Sequence, residues 1–198
     1  MSEEVYNRQD GLGLNRNMSI TCAGCGGVGF WVAKFAAMSG ITNIDLFDPD
    51  TIEESNLNRL DLPRKFIGMN KAEVTGKFIK SIRPTVIVHA FPFKLQEHTF
   101  NKTDWLVDCT DKYDAQVENQ RIADLSHCTY MKAGYDGEQY SINNRVAEWG
   151  ESEDGYTVTP SWVVPSVVVA SLTVAKIMKY NNLEVHRDIK STFDVRRR

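Results

Sequence analysis

The sequence predicts an α/β fold: a Rossmann-like, largely parallel sheet with helices on both faces and antiparallel strands in the C-terminal half. Three observations carry this. Short apolar runs alternate with stretches of helical periodicity along the chain, the pattern of parallel strands joined by crossover helices. The first apolar run, Met18-Ser19-Ile20-Thr21-Cys22, ends in a glycine loop, Ala23-Gly24-Cys25-Gly26-Gly27-Val28-Gly29, that turns straight into a helix-like run. The 198 residues contain no repeat, low-complexity tract or Gly/Ser linker, and a chain of this size buries about 70% of its unfolded surface on folding. Residues 1–198 therefore read as one domain, with an N-terminal arm over about 1–17 and a crossover loop at about 148–160.

Each element has its own signal. The first strand covers about 18–23, and the helix from about 27 to 39 places Val28, Val32, Phe35 and Ala36 on one face. Residues 44–48 read as the second strand and run into a polar loop. A helix over 70–83 repeats Val74, Phe78 and Ile82 at intervals of four and stops before Pro84, whose ring disfavours helical geometry in the residue ahead of it. Residues 86–91 and 105–108 are the third and fourth strands, and a helix follows from Asp111 to about Leu125. Strands near 129–133 and 140–147 flank a Gly-Tyr-Asp-Gly turn at 134–137. Residues 148–160 are acidic and unpatterned, a loop crossing to a last helix over about 161–180. The valine-rich run of that helix would also suit a strand. Residues 191–195 read as a final edge strand.

Composition excludes several classes. A formal net charge of −3 and a pI near 5.8 argue against a nucleic-acid binder, which would carry a basic patch. Only the tail Arg196-Arg197-Arg198 is locally basic. The N-terminus has neither the basic start nor the apolar core of a signal peptide, so a cytoplasmic location is expected. The longest apolar run, Trp162 to Ala175, contains Pro165, Ser166, Ser171 and Thr173. It is too short and too polar to span about 30 Å of hydrocarbon. Four cysteines include one C-x-x-C pair, Cys22 and Cys25, whereas a zinc ribbon needs a second pair. Both positions are committed to the strand and the glycine loop, so no structural zinc is expected. All four thiols, with Cys109 and Cys128, read as small apolar residues.

The glycine loop indicates a nucleotide phosphate. A strand that ends in glycines and opens a helix lets backbone N–H groups approach an anion at the helix N-terminus. Gly24 allows the tight turn, Gly26 and Gly27 keep side chains out of the phosphate path, and Gly29 lets helix and strand pack closely. Dehydrogenases, methyltransferases and adenylating enzymes all use such a loop, so the residues after it decide. Asp48, at the end of the second strand, is placed to accept hydrogen bonds from an unphosphorylated ribose of ATP or NAD, or else is a solvated loop acid. Ser55-Asn56-Leu57-Asn58-Arg59 suits a triphosphate, because arginine presents a planar fork of donors and asparagine adds hydrogen bonds without charge.

In the order and spacing of these motifs the chain resembles the ubiquitin-like-protein-activating superfamily of the ThiF and MoeB type. The resemblance rests on G-x-G-G-x-G at 24–29, D-x-D as Asp48-Pro49-Asp50, S-N-L-N-R at 55–59, Gly68-Met69-Asn70-Lys71 and D-C-T-D at 108–111. Tyr6-Asn7-Arg8-Gln9 resembles the family's Y-x-R-Q segment, and Pro160-Ser161-Trp162 leads into a small-residue and valine helix similar to its last one. The resemblance implies a single ThiF-like adenylation domain that binds ATP and Mg2+ and adenylates the C-terminal carboxylate of a ubiquitin-like protein ending in Gly-Gly, releasing pyrophosphate. It implies that Gly24, Gly26, Gly27, Gly29, Asp48, Asp50, Asn56 and Asn58 bind the nucleotide and that Arg59 and Lys71 hold the triphosphate. Asp111 would organise the magnesium, with helix capping as its other reading. Arg8 would act in trans, so a homodimer is expected.

The chain departs from the family in having no cysteine in the crossover loop. It should therefore stop at the acyl-adenylate or pass it to an external thiol, sulfur donor or amine. Three other readings stay open: a peptide or small carboxylate as substrate, a non-catalytic subunit of an activating heterodimer, and an NAD-linked oxidoreductase. The last is supported by the glycine loop and Asp48 but not by Asn56, Arg59, Lys71 and Asp111.

Overall fold

The computed structural model describes residues 3–135, 140–146 and 160–179. Its sheet has six strands: β1 (Ser19–Ala23), β2 (Asn43–Phe47), β3 (Ile87–Phe91), β4 (Trp105–Asp108), β5 (Thr129–Tyr135) and β6 (Tyr140–Asn143). Their order across the sheet is β3-β2-β1-β4-β5-β6. The first five run parallel, and β6 is antiparallel to β5. Four helices, α1 (Gly29–Ser39), α2 (Lys71–Ile82), α3 (Tyr113–Leu125) and α4 (Val163–Met178), lie among the described residues.

Strand alternation divides the core. Ile20, Cys22, Ile44, Leu46, Val107, Met131 and Ala133 point to the side covered by α1, α2 and α4. On the other side Ala23, Phe47, Leu106 and Tyr130 meet Ile122 and Ala123 of α3. A third cluster joins Phe30 of α1 and Val74 of α2 to Ile52 and Leu60, which pins the 50–60 loop onto the helices. The central strands β1, β2 and β4 are thus buried on both faces, as a sheet with helices on both sides requires.

Local chemistry sets the boundaries. α2 begins because the Asn70 side chain accepts from the Glu73 N–H at 3.1 Å, a capping contact. α1 ends at Gly40, whose φ of 103° is the left-handed geometry of a helix terminus. The valine-rich run at 163–178 is helical. Tertiary burial of Val169, Ala170, Val174 and Ile177 overrides the strand preference of its β-branched residues.

Three expectations are corrected. β5 continues through Gly134 and Tyr135, which pair with Ser141 and Tyr140, so the expected turn at 134–137 starts no earlier than 136. β6 ends at Asn143, short of the expected 147. α3 starts at Tyr113 with Lys112 in the capping position, so the capping place that the sequence offered to Asp111 belongs to another residue. The crossover loop up to 159 and the edge strand at 191–195 lie outside the described residues.

Candidate functional site

Register assembles the site. Ala23 pairs with Phe47 on one side and with Asp108 on the other. The segments that follow, 24–29, 48–50 and 109–111, therefore leave the sheet side by side at its carboxyl edge. Gly24 N–H donates to the Phe47 carbonyl at 2.8 Å, and Cys109 N–H donates to the Ala23 carbonyl at 2.8 Å. Open parallel sheets place their ligands at this edge.

The four loop glycines do different things. Gly24 has φ of 89°, which disfavours any side chain. A Cβ there would also lie 3.1 Å from the Cys109 carbonyl. A Cβ on Gly29 would sit 1.8 Å from the Gly24 oxygen, so this glycine lets the helix start close under the loop. At Gly27 a Cβ would meet Arg59 Cδ at 2.8 Å and Ser166 Oγ at 3.1 Å. A Cβ on Gly26 would meet nothing within 4 Å. Its Cβ position faces open space.

Asp48 is 4% exposed and engaged by both oxygens. Oδ2 accepts from the Cys25 N–H at 2.6 Å and Oδ1 from the Asp50 N–H at 2.8 Å. Burial pushes this carboxyl above its ordinary value, against the lowering effect of those two hydrogen bonds and of Lys71. Each carboxylate oxygen retains a second lone pair. The side chain thus ties the glycine loop to the end of β2 and can still accept a ribose hydroxyl. The exposed acid of the pair is Asp50, whose Oδ2 lies 3.2 Å from Lys71 Nζ.

Two cations stand beside the glycine loop. Lys71 is the first residue of α2, placed against the loop by its N–H to the Asp50 carbonyl at 2.9 Å. Its charge acts on both Asp48 and Cys25. Arg59 lies along Gly27 and donates from one Nη to the Ser55 carbonyl and to Asn58 Oδ1, both at 3.0 Å. Trp31 of α1 holds the Arg59 carbonyl through its indole N–H at 2.8 Å.

The two asparagines shape the loop that presents Arg59. Asn56, 7% exposed, accepts from the Glu53 N–H through Oδ1 at 3.1 Å, one half of a capping box. Asn58 donates to the Ser161 carbonyl at 2.7 Å and fastens the loop to the start of α4.

Asp111 sits exposed on the bend after β4, beside the glycine loop that Cys109 and Thr110 touch. No group of three or more His, Cys, Asp and Glu among the described residues could hold a metal ion. One carboxylate beside a phosphate path fits magnesium, which takes its remaining ligands from substrate phosphates and water.

Arg8 is not brought to this site within the chain. The arm packs on the last turn of α1, with Tyr6 donating to the Ala37 carbonyl at 3.2 Å and Gln9 to the Met38 carbonyl at 3.5 Å. The glycine loop is at the other end of this 11-residue helix, about 16 Å away.

The sequence reading passed over Lys132. It lies on β5, 8% exposed, and donates to the Thr110 carbonyl at 2.7 Å. Its only sequence signal is a lone lysine in the otherwise uncharged run Tyr130-Met131-Lys132-Ala133.

Residues 6–157 match the ThiF family. The chain belongs to the ThiF family. Among related ThiF-type proteins, ubiquitin-like modifier-activating enzyme 5 of Arabidopsis thaliana is 26% identical over 171 residues, 76% of this chain and 39% of that protein. The adenylyltransferase and sulfurtransferase UBA4 of Scheffersomyces stipitis is 36% identical over 101 residues, 48% of this chain and 23% of that protein. E. coli MccB crystallised with AMPCPP and MccA superposes with a TM-score of 0.74 at 22% identity, over 83% of this chain and 56% of that one. This ThiF-family chain therefore spans less than two thirds of the length of each of these three relatives. MccB shares its fold, a mostly parallel sheet flanked by helices.

Proposed function

We propose that this ThiF-family chain binds MgATP and adenylates the C-terminal carboxylate of a ubiquitin-like protein ending in Gly-Gly. The observation that carries the reading is the meeting, at one sheet edge, of the open glycine loop, Arg59, Lys71 and the bend bearing Asp111. Relatives named activating enzymes and adenylyltransferases support an ATP-dependent adenylyltransferase.

The reaction needs charge neutralised around an anionic centre and the attacking group held in line. Loop N–H groups, Arg59 and Lys71 bind the triphosphate, and Asp48 accepts from the ribose. Asp111 would hold the magnesium, and a metal there would supply positive charge to offset that on the departing pyrophosphate. A substrate carboxylate oxygen bonds to the α-phosphorus as the bond from that phosphorus to the α,β-bridging oxygen breaks.

None of the chain's four cysteines is set up to receive the acyl group. Burial pushes the Cys109 thiol up to about 12 and Cys128 up to about 11, and raises Cys22 and Cys25 well above their ordinary value. The activated acyl group therefore goes to a nucleophile other than these four thiols. Arg8, remote from its own site, reaches the site of a second copy in a homodimer. No helix among the described residues is long and apolar enough to cross a membrane.

A peptide carboxylate is the second reading, favoured by the likeness to MccB crystallised with MccA. ATP–pyrophosphate exchange separates the two. Exchange that depends on an added Gly-Gly-ended ubiquitin-like protein supports the first, and exchange driven by a short peptide alone supports the second. No exchange with either, together with no ATP binding, rejects both.

A further inference from the structure

The bend that carries Asp111 is held from several elements at once. Within it, Asp108 Oδ1 accepts from the Thr110 N–H at 2.9 Å and from the Thr110 hydroxyl at 2.6 Å. The Tyr130 hydroxyl donates to Asp108 Oδ2 at 2.8 Å. From β5 the Lys132 ammonium donates to the Thr110 carbonyl at 2.7 Å, with longer contacts to the carbonyls of Ala133 at 3.3 Å and Asp108 at 3.4 Å. From α3 the Gln116 amide donates to the same Thr110 carbonyl at 3.1 Å.

One ammonium and one amide donor together fill both lone pairs of the Thr110 carbonyl. Burying an ammonium is costly unless its hydrogen bonds compensate, and Lys132 forms no carboxylate ion pair among the described residues. Its three donors go to three backbone oxygens, so it has none left for a phosphate. Lys132 therefore acts through what it holds. The peptide unit is planar, so fixing the Thr110 oxygen fixes the plane that ends at the Asp111 Cα. With that plane held, the Asp111 N–Cα bond is fixed, and only φ of Asp111 and its own side-chain torsions are left to aim the carboxylate.

We propose that Lys132 and Gln116 are positioning residues, which clamp the Thr110 carbonyl from β5 and α3 and thereby aim Asp111 at the metal of the bound nucleotide. The proposal rests on the MgATP reading of the site. Lys132 contributes geometry, and the nucleotide itself is held by the glycine loop, Arg59 and Lys71. Loss of the clamp should weaken the metal-dependent part of binding and leave the metal-free part in place.

Calorimetric titration of the full chain with ATP, in excess magnesium and separately in EDTA, tests this. The variants are Asp111→Asn, Lys132→Met and Gln116→Leu, each checked by thermal melting. Lys132→Met should keep its affinity for metal-free ATP within about twofold and lose about tenfold in the magnesium-dependent gain, the scale of a lost outer-shell partner. Gln116→Leu should show the same split more weakly. If Asp111→Asn abolishes the magnesium-dependent gain and Lys132→Met leaves it intact, the clamp is overturned and the metal reading stands. If both titrations weaken equally in Lys132→Met, the residue is merely structural and the proposal is overturned. If Lys132→Met does not fold, Gln116→Leu decides: a reduced gain supports the clamp and an unchanged one overturns it. A gain that survives Asp111→Asn removes the metal reading itself and the clamp with it.

Discussion

Asp48 was legible in the sequence as a carboxylate at a strand end, but its main partners were not. A ribose hydroxyl was the expected partner, and the structure adds two backbone N–H groups, one of them from the glycine loop. Asp48→Asn replaces one acceptor by an amide donor that faces a backbone N–H, so it should cost about 1–3 kcal/mol, the scale of a buried unsatisfied group. Burial raises the Asp48 carboxyl, so the folded protein keeps this proton to higher pH than the unfolded chain. Folded Asp48 then binds more protons than unfolded Asp48 between the ordinary and the raised value, and its contribution to stability falls as pH rises through that window. The stability gap between wild type and Asp48→Asn should therefore narrow with rising pH in urea melts across the acid range; a gap that widens contradicts the assignment. The thiols make a second test. With Cys109 pushed up to about 12, its thiolate fraction near pH 8 is roughly a thousandfold below that of an ordinary thiol. Intact protein should resist iodoacetamide at pH 8, and all four cysteines should label after unfolding, as read by mass spectrometry.

At the level of elements, the strand-to-helix turn separates two kinds of glycine that look alike in sequence. Gly29 is needed because the Gly24 carbonyl occupies the place of its Cβ, whereas Gly26 has open space. Gly29→Ala should cost about 1–3 kcal/mol as overpacking or prevent folding. Gly26→Ala should stay within about 0.5 kcal/mol of wild type and still lose nucleotide affinity, because the new methyl group stands in the phosphate path. Equal binding by Gly26→Ala and wild type in a calorimetric titration would mean that the path lies elsewhere. The elements themselves were readable where periodicity was strong: Val74 and Phe78 of α2 face the core as their spacing predicts. Strand ends were read less well. β5 overran the expected turn because Gly134 pairs with Ser141, and pairing is decided by the partner strand.

For the whole molecule, the position of Arg8 is the main consequence. The arm is stitched to the far end of α1 by Tyr6 and Gln9, so in the proposed homodimer the nucleotide that Arg8 would serve is the one bound by the other copy. Arg8→Ala and Asp111→Asn, each inactive alone, should complement when mixed. Random pairing leaves about a quarter of the sites intact in a symmetric dimer, so about a quarter of wild-type pyrophosphate exchange should return. No recovery on mixing, with both variants dimeric, would count against action in trans. The sequence by itself determined the sheet class, the glycine loop and the residue types of the site, because strand alternation, helix spacing and glycine turns are local properties of the chain. Only the tertiary structure decided that Asn56 and Asn58 brace the loop behind Arg59, that Asp48 anchors the glycine loop, that Arg8 lies a helix length from its own site, and that Lys132 grips Thr110 across the sheet. Those facts depend on which backbone carbonyl a side chain meets after distant strands have paired, and register between strands is set by packing across the whole sheet.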